Sequence, residues 1–181
     1  PLQVGVLQYP IPTARRCHRF GQALKTAIES YPEDLRVAVL GTGGLSHQVH
    51  GERAGFNNPD WDHEFMDLLE KDPEALTALT HTDYTLRGGA EGGGVIMWLI
   101  MGGAMGDKVK RVQSSYYLPS MTAIATLVLE PDADEANTAA SLAEVGAQLK
   151  GIEQVEGTYP FSLERAASAY KLNEFLHGLV D

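Results

Sequence analysis

Residues 41–53 read GTGGLSHQVHGER, and they follow a short apolar run, Val37–Leu40. Such a run is typical of a buried strand, and three glycines within four positions let the backbone turn sharply or approach another segment closely. In an open α/β sheet, ligands bind at the carboxyl ends of the strands, and in this interpretation His47 lies there. The stretch alone leaves a second interpretation open, in which it is only a tight turn with His47 as a capping residue.

The composition narrows the possible classes of protein. The chain has 181 residues, of which 44% are hydrophobic and 21% charged, as expected for a globular domain with a full core. A formal net charge of −10 argues against nucleic acid or an anionic membrane as a partner. No run approaches the ~18 apolar residues of a membrane span. The single cysteine, Cys17, excludes an internal disulfide and favours a reducing compartment, so we expect a cytoplasmic protein.

The order of elements in the first forty residues predicts an α/β fold. Strands are expected over Val4–Gln8 and Arg36–Leu40, and between them a helix over Ala14–Ser30 that Thr13 can cap. A strand, a helix and a second strand in this order imply a parallel pair of strands with a right-handed crossover.

The rest of the chain continues the pattern. Asn58-Pro59 and Asp72-Pro73 each carry the signal of a helix start, and the apolar run Val95–Met101 predicts a buried helix with Glu91 in its first turn. We then expect two neighbouring strands, Lys108–Leu118 and Thr122–Leu129. A further amphipathic helix over Asp132–Gln148, a linker over Gly151–Pro160 and a last helix from Ser162 onward complete the chain. The predicted architecture is a mixed, mostly parallel sheet flanked by helices over residues 1–150. Residues 151–181 form the linker and the start of a small all-helical appended domain.

Three side chains in the two glycine clusters could carry chemistry. His47 and His50, together with Glu91, have the ligand types of a two-histidine, one-carboxylate iron site. Alternatively, one histidine is a proton carrier beside a metal site. Glu91 either binds a metal or only favours the dipole of the helix that it precedes. Ser46 and His47 do not form a catalytic pair, because neighbours on an extended segment point to opposite sides.

Four motifs resemble one enzyme family and cover residues 1–130. They are Tyr9–Cys17, Gly41–Gln48, Gly88–Gly92 and Pro119–Ala123. On these motifs the chain resembles the class III (LigB-type) extradiol ring-cleaving dioxygenases, the group of protocatechuate 4,5-dioxygenase and gallate dioxygenase. Residues 157–161 and 165–175 also resemble the start of the family's small helical LigA-like α-subunit, which is fused to the catalytic subunit in gallate dioxygenases.

The resemblance implies an enzyme of aromatic compound catabolism that uses Fe(II) and dioxygen to open the ring of a hydroxylated benzoate, a small aromatic diol acid. Gallate, converted to 4-oxalomesaconate, is the expected substrate, with 4,5-cleavage of protocatechuate as the alternative. By the resemblance, His47 is the catalytic acid and base, Glu91 is a metal ligand, and Thr122, or Ser120 beside it, contacts the substrate. The family's two histidine ligands belong to a segment that precedes everything matched here. We therefore expect that a missing N-terminal segment supplies them, that the isolated chain is inactive, and that the protein is a homodimer.

Two other classes of function remain open. A non-catalytic interaction domain that has kept the fold would not bring His47 and Glu91 together. A metal-assisted hydrolase or a phosphate-binding enzyme would use Gly41–Gly44 as an anion cradle. Convergence of His47, Glu91 and Thr122 on one pocket would separate the dioxygenase from both.

Overall fold

A computed structural model describes residues 1–6, 9–106 and 108–132 of the chain. The chain divides into two compact units, and Leu2–Pro131 form the unit to which the description below applies. The helices predicted after residue 132, the linker and the appended domain of residues 151–181 lie outside the described residues, as do the last two residues of the predicted strand Val4–Gln8.

Helices make up most of the regular secondary structure in the described residues, and the capping residues explain where they begin. At the start of each of the first four α-helices, the side chain of Thr13, Asn58, Asp72 or Thr80 accepts a backbone N–H that the helix itself leaves unpaired. The first three starts confirm the sequence predictions. The helices are α1 (Ala14–Glu29), α2 (Pro59–Lys71), α3 (Pro73–Thr77), α4 (His81–Gly88), a 3₁₀ helix (Gly92–Met97) and α5 (Trp98–Met105).

The apolar run Val95–Met101 is helical and largely buried as predicted, but its first three residues belong to the 3₁₀ helix, so Glu91 precedes that helix and does not lie in the first turn of α5. Helix α5 crosses α1 at very short range. A Cβ atom on Gly21 of α1 would meet the backbone carbonyl oxygen of Ile100, and one on Gly103 of α5 would meet that of His18. The two backbones can touch only because both positions are glycine. An aromatic cluster packs edge to face in the same core, with ring centroids 5.8 to 6.5 Å apart, and its members are Trp61, Phe65, Tyr84 and Trp98.

The predicted pair of neighbouring strands is confirmed as an antiparallel hairpin. Strand β1 (Val109–Tyr117) pairs with β2 (Ile124–Pro131), and a bulge interrupts the register between Arg111 and Gln113. At the bulge, the Arg111 guanidinium donates to the Asp67 carboxylate at 2.8 Å and to the Met66 carbonyl at 3.0 Å. This arginine therefore docks β1 against helix α2.

The mixed α/β class is confirmed, whereas the parallel sheet stays a prediction. Within the described residues, the sheet consists of β1 and β2 alone, and residues 4–6 and 36–40 belong to no ladder. An apolar run indicates burial, but it does not specify the neighbour that a strand needs for pairing. None of the described helices has both the length and the apolar character needed to cross a membrane.

Candidate active site

The His47 loop is held between two other segments of the chain. On one side, Leu45 N–H donates to the Ala123 carbonyl at 3.3 Å and Ala123 N–H donates to the Ser46 carbonyl at 3.2 Å. An antiparallel bridge between His47 and Thr122 extends this pairing. The motif that carries Thr122 therefore lies beside the motif that carries His47.

The second glycine cluster closes the other side of the loop. His47 N–H donates to the Gly88 carbonyl at 2.8 Å, and Gly92 N–H donates to the His47 carbonyl at 3.2 Å. Gly89 has a φ of +88°, and a Cβ atom there would meet the His47 carbonyl oxygen. Only glycine fits this left-handed position in close contact with another backbone, so the cluster serves to bring Glu91 beside the loop.

The His47 side chain has a defined tautomer. Its Nδ1 lies 2.7 Å from the Leu45 carbonyl oxygen, and because a carbonyl only accepts, Nδ1 must carry the proton. In the neutral ring, Nε2 then holds the free lone pair. A Cβ atom on Gly44 would lie 2.9 Å from Cε1 of His47 and 3.4 Å from Cγ2 of Thr122. The imidazole and the methyl group of Thr122 therefore both lie against the Gly44 backbone, and a side chain at position 44 would collide with the ring.

A buried carboxylate anchors the loop from below. The side chain of Asp62 is fully buried. Its Oδ1 accepts Ser46 N–H at 2.7 Å, and its Oδ2 accepts the hydroxyls of Ser46 at 2.7 Å and Tyr116 at 2.9 Å. Burial, together with the bond to Asp62, raises the pKa of the Tyr116 hydroxyl, which therefore stays a donor. The helix start predicted at Asn58-Pro59 gave no reason to single out Asp62. The structure shows that it fixes the residue before His47.

Two adjacent asparagines tie the loop to its neighbours. Asn57 Nδ2 donates to the Ser46 carbonyl at 3.0 Å and to the Met121 carbonyl at 2.9 Å. Asn58 N–H donates to Ser46 Oγ at 2.8 Å, while its side chain donates to the Arg87 carbonyl at 3.1 Å. These residues brace the three motifs against one another. The sequence analysis recognised Asn58 only as a helix start.

Glu91 lies next to the loop but is paired with His50 rather than with His47. Its Oε1 lies 3.2 Å from Nδ1 of His50, and its Oε2 accepts Val49 N–H at 3.3 Å. The hydrogen bond from the His50 ring, supported by that of Val49, lowers the pKa of the Glu91 carboxyl. The His50 side chain is 87% exposed and that of Glu91 28%, so the pair lies at the rim of the site. Ser120 lies in the exposed turn before Thr122 and forms no hydrogen bond to another described residue.

The described residues do not by themselves complete an iron site. Non-haem Fe(II) oxygenases use two histidines and one carboxylate. Here one carboxylate, Glu91, has one histidine beside it, and within the described part of the chain no group of three or more histidine, cysteine or acidic side chains is placed to hold a metal ion. Glu91 can supply a single ligand, so a complete site needs further ligands.

The geometry around Gly43 does not support an anion cradle. Gly43 has a φ of +131°, and its carbonyl accepts a hydrogen bond from Trp98 Nε1 at 3.1 Å. The chain then enters the pairing with residues 122–123 and begins no helix before Pro59. A phosphate cradle depends on the N-terminus of a helix that follows the glycine loop directly, and this loop has none.

The sequence of the chain is similar to a known enzyme family and to one of its characterised members. Residues 1–129 match the family model of the catalytic LigB subunit of aromatic ring-opening dioxygenase. The chain is also 59% identical, over 185 aligned residues, to gallate dioxygenase of Pseudomonas putida. That alignment covers 100% of this chain and 54% of the relative, so the chain spans about half the length of the curated relative that it matches.

Proposed function

The chain belongs to the family of LigB catalytic subunits of aromatic ring-opening dioxygenases, and from this premise we propose that it carries the acid–base half of a gallate-type extradiol site. The reaction would insert both atoms of dioxygen into gallate and open the ring beside its hydroxyls, giving 4-oxalomesaconate. The similarity to gallate dioxygenase favours gallate over protocatechuate, which is the second candidate substrate.

The observation that carries the proposal is the orientation of the His47 ring. Because Nδ1 donates to the Leu45 carbonyl at 2.7 Å, Nε2 is the atom that would accept a phenolic proton and later return it. A positioned general base of this kind contributes about 10² to 10⁴ in rate. The Asp62 and Asn57 hydrogen bonds hold the backbone that carries the ring, so the geometry is set before substrate binds.

Thr122 would orient the substrate beside this base. Its methyl group lies against Gly44 beside the imidazole, and residues 47 and 122 form a backbone bridge, so its hydroxyl would be within reach of a substrate held at His47 and would hydrogen bond a ring hydroxyl or the carboxylate of that substrate. Ser120, two residues earlier in an exposed turn, is the alternative source of this hydroxyl. In this arrangement Thr122 fixes the diol and His47 moves the proton.

Glu91 would be the carboxylate ligand of Fe(II), with two histidines supplied from outside this chain. Iron bound there would acidify the ring hydroxyls and activate dioxygen. Its binding would require Glu91 to give up at least part of its pairing with His50, which lies 3.2 Å away.

The test uses a chimera in which this chain replaces the matched region of Pseudomonas putida gallate dioxygenase. We expect one iron per chain and oxygen uptake with gallate that exceeds the uptake with protocatechuate. The isolated chain should show neither tight iron binding nor uptake. Turnover by the isolated chain would refute the division of the site and would indicate His50 as a ligand. A chimera that binds iron and gallate without consuming oxygen would refute the assignment of function.

A further inference from the structure

A second concave surface lies between the extended segment 36–41 and strand β2. It encloses about 740 Å³, and Trp98, Met101 and Met105 of helix α5 also line it. The lining is mostly aliphatic, with Arg36 and Glu130 as its charged members. None of His47, Glu91 and Thr122 contributes to it, so this groove is distinct from the candidate active site.

Both walls of the groove have the pattern of strands that are covered on two faces. Along segment 36–41, Val37 and Val39 are partly buried, whereas Leu40 is 80% exposed. Along β2, Leu129 is buried, whereas Val128 is 45% exposed. A strand with one solvent-facing side normally alternates apolar and polar residues, while a strand buried on both faces is apolar throughout. Segment 37–41 is of the second kind and β2 approaches it, with Thr126 and Glu130 as its polar residues, yet within the described residues Leu40 and Val128 stay exposed.

The backbone along both walls also lacks pairing partners. Strand β2 pairs with β1 along one edge, and among the described residues no strand pairs with its other edge. Segment 36–41 forms no hydrogen bond with any other described stretch of backbone. Beyond one end of the groove, Leu45, which follows the first wall in sequence, is hydrogen bonded to Ala123, which precedes β2. The bridge between His47 and Thr122 there is antiparallel, so the two walls have opposite chain directions. Free edges of this kind are templates for an added strand.

We propose that this groove is the docking site of an apolar β-strand from the part of a gallate dioxygenase that lies outside the matched region. Nearly half of the relative lies there, since the alignment covers 54% of it. Because the walls are antiparallel to each other, the docked strand would run parallel to one and antiparallel to the other. It would pair both free edges and cover Leu40 and Val128. The proposal concerns assembly and does not depend on ring cleavage.

The experiment supplies that part of Pseudomonas putida gallate dioxygenase as a separate polypeptide, co-expressed with the full 181-residue chain. Hydrogen–deuterium exchange then compares the chain alone with the complex. We expect a one-to-one complex in which amides of residues 36–41 and 124–131 exchange at least about tenfold more slowly, with no comparable change along helix α2. Association and exchange are measured without substrate, so the result is separate from any loss of activity.

Two exposed strand valines provide a matched pair of variants. Val128→Glu places a charge on the groove wall, where a docked strand would bury it, and we expect affinity for the partner to fall about tenfold or more. Val112→Glu, at a position 41% exposed on β1 and outside the groove, should leave affinity unchanged. Equal effects of the two variants would overturn the proposal. So would a complex without protection of the walls, walls already protected in the chain alone, or protection that depends on the chain's own concentration.

Discussion

Replacement of Asp62 is the sharpest test of how the loop before His47 is held. The carboxylate is fully buried and accepts three hydrogen bonds, two from Ser46 and one from Tyr116. In Asp62→Ala, these donors lose their acceptor. An unpaired buried donor costs about 1–3 kcal/mol, and the costs are not additive. We expect the free energy of unfolding to fall by about 3–5 kcal/mol, a large share of the roughly 5–15 kcal/mol of a typical domain.

Asp62→Asn should have a smaller effect for a definite reason. The amide oxygen can still accept Ser46 N–H, while the amide nitrogen faces the two hydroxyls, which can rotate to accept. We expect a loss of about 1.5–3 kcal/mol, the contribution of hydrogen bonds to a charged group. Urea unfolding, followed by the fluorescence of Trp61 and Trp98, measures both variants.

The control is Asp60→Asn, because Asp60 lies in the same first turn of helix α2 but is exposed. An acid near a helix N-terminus contributes about 0.3–1 kcal/mol through the helix dipole. If Asp62→Asn and Asp60→Asn were equally mild, the buried anchor would not exist and Asp62 would be only a helix-start acid. Retention of most of the stability in Asp62→Ala would lead to the same conclusion.

Three further perturbations test other parts of the account. Asn57→Ala removes two hydrogen bonds that brace residues 46 and 121, so unfolding in urea should become easier by about 1–3 kcal/mol, and the His47 ring resonances should broaden in NMR spectra. Gly89→Ala forces a Cβ atom onto the His47 carbonyl at a positive φ, and it should lower the melting temperature by several degrees, whereas Gly93→Ala, with no atom within 4 Å of the new methyl, should not. Burial raises the pKa of Cys17, Tyr84 and Tyr116. At alkaline pH the folded chain therefore keeps protons that the unfolded chain releases. The free energy of unfolding should have its full value below about pH 8 and fall progressively as the pH rises past the ordinary cysteine and tyrosine pKa values, near 8.5 and 10. A stability that stays flat from pH 8 to 11 would contradict that burial.

Local signals predicted the helices well. Thr13, Asn58 and Asp72 cap α1, α2 and α3 as expected, because a cap depends on a few adjacent residues. Helix α4 was not predicted, although Thr80 and Asp83 form a capping box that was present in the sequence. Sheet order could not be obtained in the same way. Val37–Leu40 has the composition of a buried strand, but its pairing depends on a partner strand that is distant in the sequence.

The candidate site shows the same division between local and distant information. The motifs around His47 and Thr122 meet through a backbone bridge between these two residues, a contact that the sequence analysis named only as a test between alternatives. Asp62 was not identified, because it is one of three acids near the start of helix α2, with Asp60 and Glu64. Helical spacing places Asp62 on the same face as Phe65, Met66 and Leu69, all buried, so the periodicity could have identified it. The pairing of Glu91 with His50, by contrast, depends on contacts between distant loops that spacing does not reveal.

The most direct test of the central claim compares two histidines in the chimera with gallate dioxygenase. His47→Gln should reduce the turnover number for oxygen uptake with gallate by about 10² or more, as expected when a general base is removed, while iron content stays near one per chain. His50→Gln should keep most of the activity and all of the iron, because His50 contacts Glu91 only at the exposed rim. The opposite pattern, with His47→Gln active and His50→Gln lacking both iron and turnover, would show that the acid–base assignment is wrong and that His50 is the ligand.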